Sequence, residues 1–168
     1  MLRELHAELG IPDDYGAAGS MPVFDEATEL VEVGPNLVGR MQRLVPEAAR
    51  QWRAMVAEAD KIGIQLLIVS GFRGFEYQAG LIRKKIEAGQ AIEDILRVNT
   101  APGYSEHHTG RAVDIATPGS RPLTEEFEDT DAFRWLGDRA VEFGFSMTYP
   151  RDNPWGIAYE PWHWSLKG

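Results

Sequence analysis

From Pro46 to about Ile62, apolar side chains recur at Trp52, Met55, Val56, Ala59 and Ile62. Steps of three and four residues line one face of an α-helix. Pro46 suits the first turn, where its missing N–H has no partner to lose, and Gly63 is a natural stop. The period then changes. The stretch Ile64 to Val69 is short and nearly all apolar, which fits a central strand buried on both faces. Helical spacing returns over 75–88, with Leu81, Ile82 and Ile86 inward and Lys84, Lys85 and Glu87 outward, ending at Gly89. A second short helix is predicted at 91–97. Arg111 to Ala116, after Gly110, is a strand candidate. A helix over about 132–143 presents Phe133, Leu136, Ala140 and Phe143 on one face. Two short strands are predicted near 145–149 and 161–166.

Other stretches lack either period. Residues 10–36 hold Gly10, Pro12, Gly16, Gly19, Pro22, Gly34 and Pro35, and read as irregular structure wrapped on a core. Thr124 to Asp131 is crowded with acids and reads as a solvated loop feeding a helix N-terminus, where negative charge suits the dipole. The connections are too varied for a regular βαβ series. The expected fold class is α+β, with a small, mostly antiparallel sheet flanked by helices. Residues 1–45 read as an N-terminal extension packing on the core, and 46–168 as the domain that carries function.

Composition narrows the chemistry. A chain of 168 residues suits one domain with a short appendage. It has no cysteine, which excludes disulfides, iron–sulfur clusters, thiolate zinc sites and a cysteine nucleophile. A net charge of −9 makes a nucleic-acid partner a poor expectation. No uncharged stretch reaches the roughly 18–20 residues of a membrane helix, so no transmembrane segment is expected. Charges in Met1 to Glu8 stand where a signal peptide needs its apolar run. The expected location is the cytoplasm, or the periplasm or cell envelope if a leader lies outside this chain.

The four histidines are His6, His107, His108 and His163. His6 reads as a surface residue. The others fall in two segments rich in functional side chains, Ser105 to Asp114 and Glu160 to His163. A catalytic zinc wants three protein ligands and one open position. His107, Asp114 and His163 would fill the three, with Glu160 beside them as base. On a strand, Asp114 would face away from Val113 and Ile115, and Gly110 would let the preceding loop fold back so that His107 meets it. His108, its neighbour, is the alternative ligand to His107. Trp155, Trp162 and Trp164 divide between core packing and a ligand platform.

Taken together, Ser105-x-His107-x-x-Gly110-x-Ala112-x-Asp114 and Glu160-x-x-His163 resemble the zinc D-alanyl-D-alanine carboxypeptidases of the VanY type. Ser70-Gly71-Phe72-Arg73 with Gln78, Gly144-Phe145 leading to Tyr149-Pro150, and Tyr159 to Trp164 resemble further segments of that family, in order. The departures are Phe72 and Gly74, where the family often has Tyr and Ser, and His108, where Gln is common. The resemblance implies a Zn2+ peptidase acting on peptidoglycan stem peptides or muropeptides, its metal site on a small sheet. It implies His107, Asp114 and His163 as ligands, Glu160 as base, Arg73 on the substrate or transition state, and Gln78, Ser105 and Trp162 as substrate contacts. The expected reaction is removal of a terminal D-Ala. Alternatives are an L,D-carboxypeptidase, an endopeptidase of the same fold, or a zinc module without turnover.

Overall fold

The computed structural model describes residues 1–17 and 19–167. Five α-helices and six strands follow in the order α1 (Leu2–Leu9), β1 (Val31–Pro35), β2 (Met41–Leu44), α2 (Pro46–Asp60), β3 (Leu67–Ser70), α3 (Phe75–Glu87), α4 (Ile92–Val98), β4 (Ala112–Ala116), α5 (Asp131–Arg139), β5 (Phe145–Met147) and β6 (His163–Leu166). The fold is α+β. β1 and β2 form a hairpin, and the other strands make a sheet of order β3-β4-β6-β5 in which each neighbouring pair is antiparallel. No helix of the described residues is long and apolar enough to cross a membrane.

Side-chain alternation along β4 sorts this sheet into two faces. Val113 and Ile115 enter the larger core, against Trp52 and Met55 of α2, Leu136 of α5, and Phe145 and Trp164. Asp114 points the other way. A second apolar cluster joins Leu5 and Leu9 of α1 and Ile11 to Ala79 and Ile82 of α3 and Ile95 of α4.

Several boundaries differ from the sequence reading. α2 stops at Asp60 because the amides of Gly63 and Ile64 turn back onto the carbonyls of Asp60 and Ala59, which leaves Ile62 exposed. Of the apolar stretch only Leu67 to Val69 enters a strand, which runs on to Ser70. Residues 31–35, expected to be irregular, pair with β2. The buried face of α3 runs through Gln78, Ala79 and Ile82, so Ile86 lies exposed while Lys85 is half-buried. α5 tightens into a 3-10 turn at Ala140–Phe143, and β6 begins only at His163, after a turn in which the His163 amide donates to the Glu160 carbonyl. The acids of 125–131 are in part engaged: Arg151 reaches Glu128 at 2.7 Å, and Thr130 caps α5. His6 is not a free surface group, since its Nε2 bonds the Pro102 carbonyl at 2.7 Å.

The first 45 residues are knitted to the loops that carry the chemistry. The amides of Phe24 and Ala27 donate to the carbonyls of Gly103 and His108. The Glu26 carboxylate accepts from the Phe75 amide at 2.6 Å and so caps α3. A Cβ at Gly74 would lie 3.0 Å from that carboxylate, so glycine leaves room for a cap supplied from a distance. The hairpin is fastened to residues 69–72 by Asn36 Nδ2 to the Val69 carbonyl, the Gly71 amide to Gln42 Oε1, and the Phe72 amide to the Arg43 carbonyl, each at 2.9 Å.

Gly71 is required by this fastening. An added Cβ would meet the Arg43 carbonyl oxygen at 2.7 Å, a backbone atom that cannot step aside. Gly71→Ala is expected to destabilise the chain by about 1–3 kcal/mol. Gly80→Ala, in the middle of α3 with nothing within 4 Å of the new methyl, is expected to stabilise it by about 0.5–1 kcal/mol. Urea denaturation of both variants measures the contrast, and a neutral Gly71→Ala would show that the hairpin is not held there.

Candidate metal centre

β4 and β6 are in register at Asp114 and His163, which places both side chains on the face away from the larger core. His107 arrives from a 3-10 turn, Glu106–Thr109. Ser105 caps that turn by accepting from the His107 amide at 3.2 Å. Gly110 closes it at φ 67°, in the left-handed region, where a Cβ would also press on Val45 and Leu30. The chain thereby folds back over β4. His107 Nε2 and His163 Nδ1 each come to 3.1 Å from Asp114 Oδ1, and one ligand atom from each of the three buried residues lies within 4.8 Å of the others.

The far side of each ring is also engaged. His107 Nδ1 donates to the Gly71 carbonyl at 2.7 Å, and His163 Nε2 donates to Glu106 Oε1 at 2.8 Å. Glu106 in turn accepts from Thr148 and from Lys167 Nζ. These outer bonds fix which nitrogen of each ring faces Asp114. Two imidazole nitrogens and a carboxylate beside an open cavity form the donor set of a catalytic zinc site, and the residues fit that ion.

Among protein groups alone, the cluster is strongly polarised. Burial works against a charge on His163, but its bonds to Asp114 and Glu106 outweigh burial and push it up to about 10. Burial and the Arg73 charge hold His107 down to about 4. Asp114 and Glu106 are buried too, yet their histidine partners hold both well below the usual carboxylate range. Burial raises Glu160 to about 7, with His163 opposing and Asp114 adding to the rise.

A cavity of about 210 Å³ opens over the cluster. Of the residues singled out in the sequence, Arg73, Ser105, Glu160 and Trp162 line it with the three ligand candidates. Glu160 Oε1 stands 3.9 Å from His163 Nδ1. Arg73 Nη1 stands 3.7 Å from Asp114 Oδ2, while its buried Nε has no hydrogen-bond partner among the described residues. Gln78 is placed elsewhere. It is wholly buried, donates to the Thr100 carbonyl at 2.8 Å, and does not line the cavity. His108 is not a member of the cluster, because both its nitrogens are used, Nδ1 on the Arg73 carbonyl and Nε2 on the Gly103 amide. The tryptophans divide: Trp164 is core, Trp162 lines the cavity, and Trp155 packs edge-on against Tyr149.

Other residues of the site were given no role by the sequence. Glu106 orients His163, Tyr149 packs its ring 4.8 Å from that imidazole, and Lys85 reaches the cavity from α3. The use of Glu106 as a hydrogen-bond acceptor for His163 depends on a contact 57 positions away, which local spacing does not reveal.

Protonation makes metal uptake pH-dependent. His163, raised above an ordinary imidazole, is charged at pH 8 and has to release its Nδ1 proton to become a ligand; His107 is already neutral. Zinc binding at pH 8 is therefore expected to release at least one proton, that of His163, with a further contribution from metal-bound water. Affinity is expected to rise at least tenfold per pH unit until pH approaches 10. Calorimetry in buffers of different ionisation enthalpy measures the release, and zinc uptake without it would remove the charged His163.

The geometry has counterparts in known proteins. The profile of the family described as "VanY: D-alanyl-D-alanine carboxypeptidase" matches residues 41–168. The putative carboxypeptidase YodJ of Bacillus subtilis is 32% identical over 120 residues, which is 70% of this chain; the chain spans 44% of YodJ's length. Among solved structures, the LD-carboxypeptidase LdcB superposes with a TM-score of 0.74 at 30% identity, over 84% of this chain and 69% of that one. A VanY D,D-pentapeptidase from a VanB-type vancomycin resistance cassette, in complex with Zn(II), superposes with a TM-score of 0.66 at 25% identity, over 88% and 83%. The motif segments, the sheet that brings them together and the profile match agree: the chain belongs to the VanY D-alanyl-D-alanine carboxypeptidase family.

Proposed function

We propose that this chain is a zinc-dependent carboxypeptidase that removes the terminal D-alanine from D-Ala-D-Ala-ended stem peptides of peptidoglycan. The observation that carries the reading is the meeting, in one cavity, of the His107, Asp114 and His163 ligand set with a half-buried carboxylate and a half-buried guanidinium. When bound, zinc supplies Lewis acidity, which lowers the pKa of water from about 16 to about 7 and polarises a carbonyl. The other roles belong to side chains. Glu160 takes a proton from water and returns it to the leaving amine; its raised pKa suits a group that has to do both near neutral pH. Arg73 offers an unpartnered buried donor beside the cluster, a position suited to a carboxylate or a developing oxyanion. Ser105 and Trp162 form walls against which the peptide lies.

Glu106 does not compete for the role of base, since its oxygens are held by His163, Thr148 and Lys167. A non-catalytic zinc module would have no use for Glu160 and Arg73 at the same cavity. The fold match to LdcB supports a second reading, cleavage of an L,D bond. Incubating the chain with defined pentapeptide and tetrapeptide muropeptides and weighing the products tests both. Loss of D-Ala from the pentapeptide supports the first reading, loss from the tetrapeptide alone the second, and no loss from either removes both.

Two variants probe the machinery. Glu160→Gln is nearly isosteric but cannot accept a proton, so turnover is expected to fall about 10²–10⁴-fold with zinc retained. Near-normal kcat would place the base elsewhere. If Arg73 grips the terminal carboxylate, amidating the last residue removes a charge-assisted contact, and kcat/KM is expected to fall roughly 10- to 150-fold. Arg73→Lys would lose part of the same contact, because an ammonium lacks the planar fork. Equal wild-type efficiency on free acid and amide would leave Arg73 only the oxyanion role.

A further inference from the structure

The cleft does not end at the metal cluster. Past Arg73 and Lys85 it continues into an open groove of about 500 Å³ between the β1–β2 hairpin and α3. The charge there is opposite to that of the chain as a whole. The net charge is −9, yet Arg40, Arg43, Arg73 and Lys85 line this groove, and its acid among the described residues is Asp114, already held by two histidines. The Arg43 guanidinium lies 5.6 Å from the Phe72 ring centroid. Neither it nor Arg40 forms an ion pair among the described residues.

Lys85 is unlike a surface lysine. It is half-buried where the cavity and the groove join, and its ammonium bonds the neutral Asn99 side-chain oxygen. No carboxylate of the described residues reaches it within ion-pair distance; Glu160, across the cavity, acts on it only through space. Burial pulls its pKa below the ordinary lysine value. A partly desolvated cation with a neutral partner gains most from a counter-charge that arrives with the ligand.

We infer that this groove receives an acidic side chain of the substrate peptide, at a residue other than the one released, with Lys85 as its contact and Arg40 and Arg43 as the field that draws it in. The inference rests on the peptidase reading and deepens it: Arg73 serves the reacting end, and Lys85 selects the peptide. Arg40 and Arg43 come from the hairpin, so the specificity is built in part by the segment that precedes the motif-bearing residues.

The test uses the Glu160→Gln chain supplied with zinc, so that peptide binds with little turnover. Calorimetry compares N-acetylated peptides ending in D-Ala-D-Ala that carry glutamate or glutamine at one upstream position, moved residue by residue. At one position the acid is expected to bind about 10-fold more tightly than its amide. Lys85→Gln should bring that ratio close to 1, and Lys85→Arg should restore part of it. Arg40→Gln with Arg43→Gln, at exposed positions, should lower the same ratio by a smaller factor, which keeps the test open if Lys85→Gln is unstable. Equal binding of acid and amide at every position, no binding of either, or a ratio that survives Lys85→Gln overturns the inference. It is overturned as well if the loss due to Lys85→Gln tracks amidation of the peptide's own terminal carboxylate. Hydrolysis of the unsubstituted peptide by the wild-type chain checks the peptidase reading separately and stands through any of these failures.

Discussion

The Asp114 carboxylate sits on a central strand, almost fully buried, with apolar residues on either side of it in sequence. A lone charge in such a place costs several kcal/mol, and it is kept only where partners gather around it. Here the charged partners are His163 from the next strand and Arg73 from the loop before α3, while a tight turn brings the His107 Nε2 lone pair to the same carboxylate. Much of the rest of the fold exists to deliver these groups. The β4–β6 register sets one approach, Gly110 permits the second, and the hairpin fixes the third.

That last connection makes a continuous path. The hairpin holds Gly71 and Phe72 by their amides, the Gly71 carbonyl holds the His107 ring, and the Arg73 amide donates to the His107 carbonyl. His108 closes the loop from the other side through the Arg73 carbonyl. The N-terminal 45 residues, with α1 in the second apolar cluster and Glu26 on the α3 cap, thus act on the site without entering the ligand set.

The two glutamates near His163 show how environment divides identical side chains. Glu106 is surrounded by donors and stays ionised, so it fixes a ring. Glu160 faces the cavity with no hydrogen-bond donor among the described residues and is pushed toward neutrality, which suits the proton exchange proposed for it. Pulling the pKa values of paired carboxylates apart is a general way to assign an orienting and a reacting role.

Much of this was written in the chain itself. The helical periods placed α2, α3 and α5, the alternation around Asp114 assigned its face, and the segments holding His107, Asp114, Glu160 and His163, with their resemblance to a family, pointed to the candidate ligands and base. Local spacing could place the elements because each period lies within one helix or one strand, whereas the candidate ligands, split between two distant segments, were joined only by the family resemblance. What required the tertiary structure is whatever joins distant segments. The pairing of β1 with β2, the reversal of Lys85 and Ile86 on α3, the burial of Gln78 away from the cavity, and the grip of Glu106 on His163 all depend on neighbours far along the chain. His107 and His108 are adjacent and chemically identical, so sequence left the choice between them open. Only the packed loops, which bond both nitrogens of His108 and leave Nε2 of His107 facing Asp114, decide which one can hold a metal.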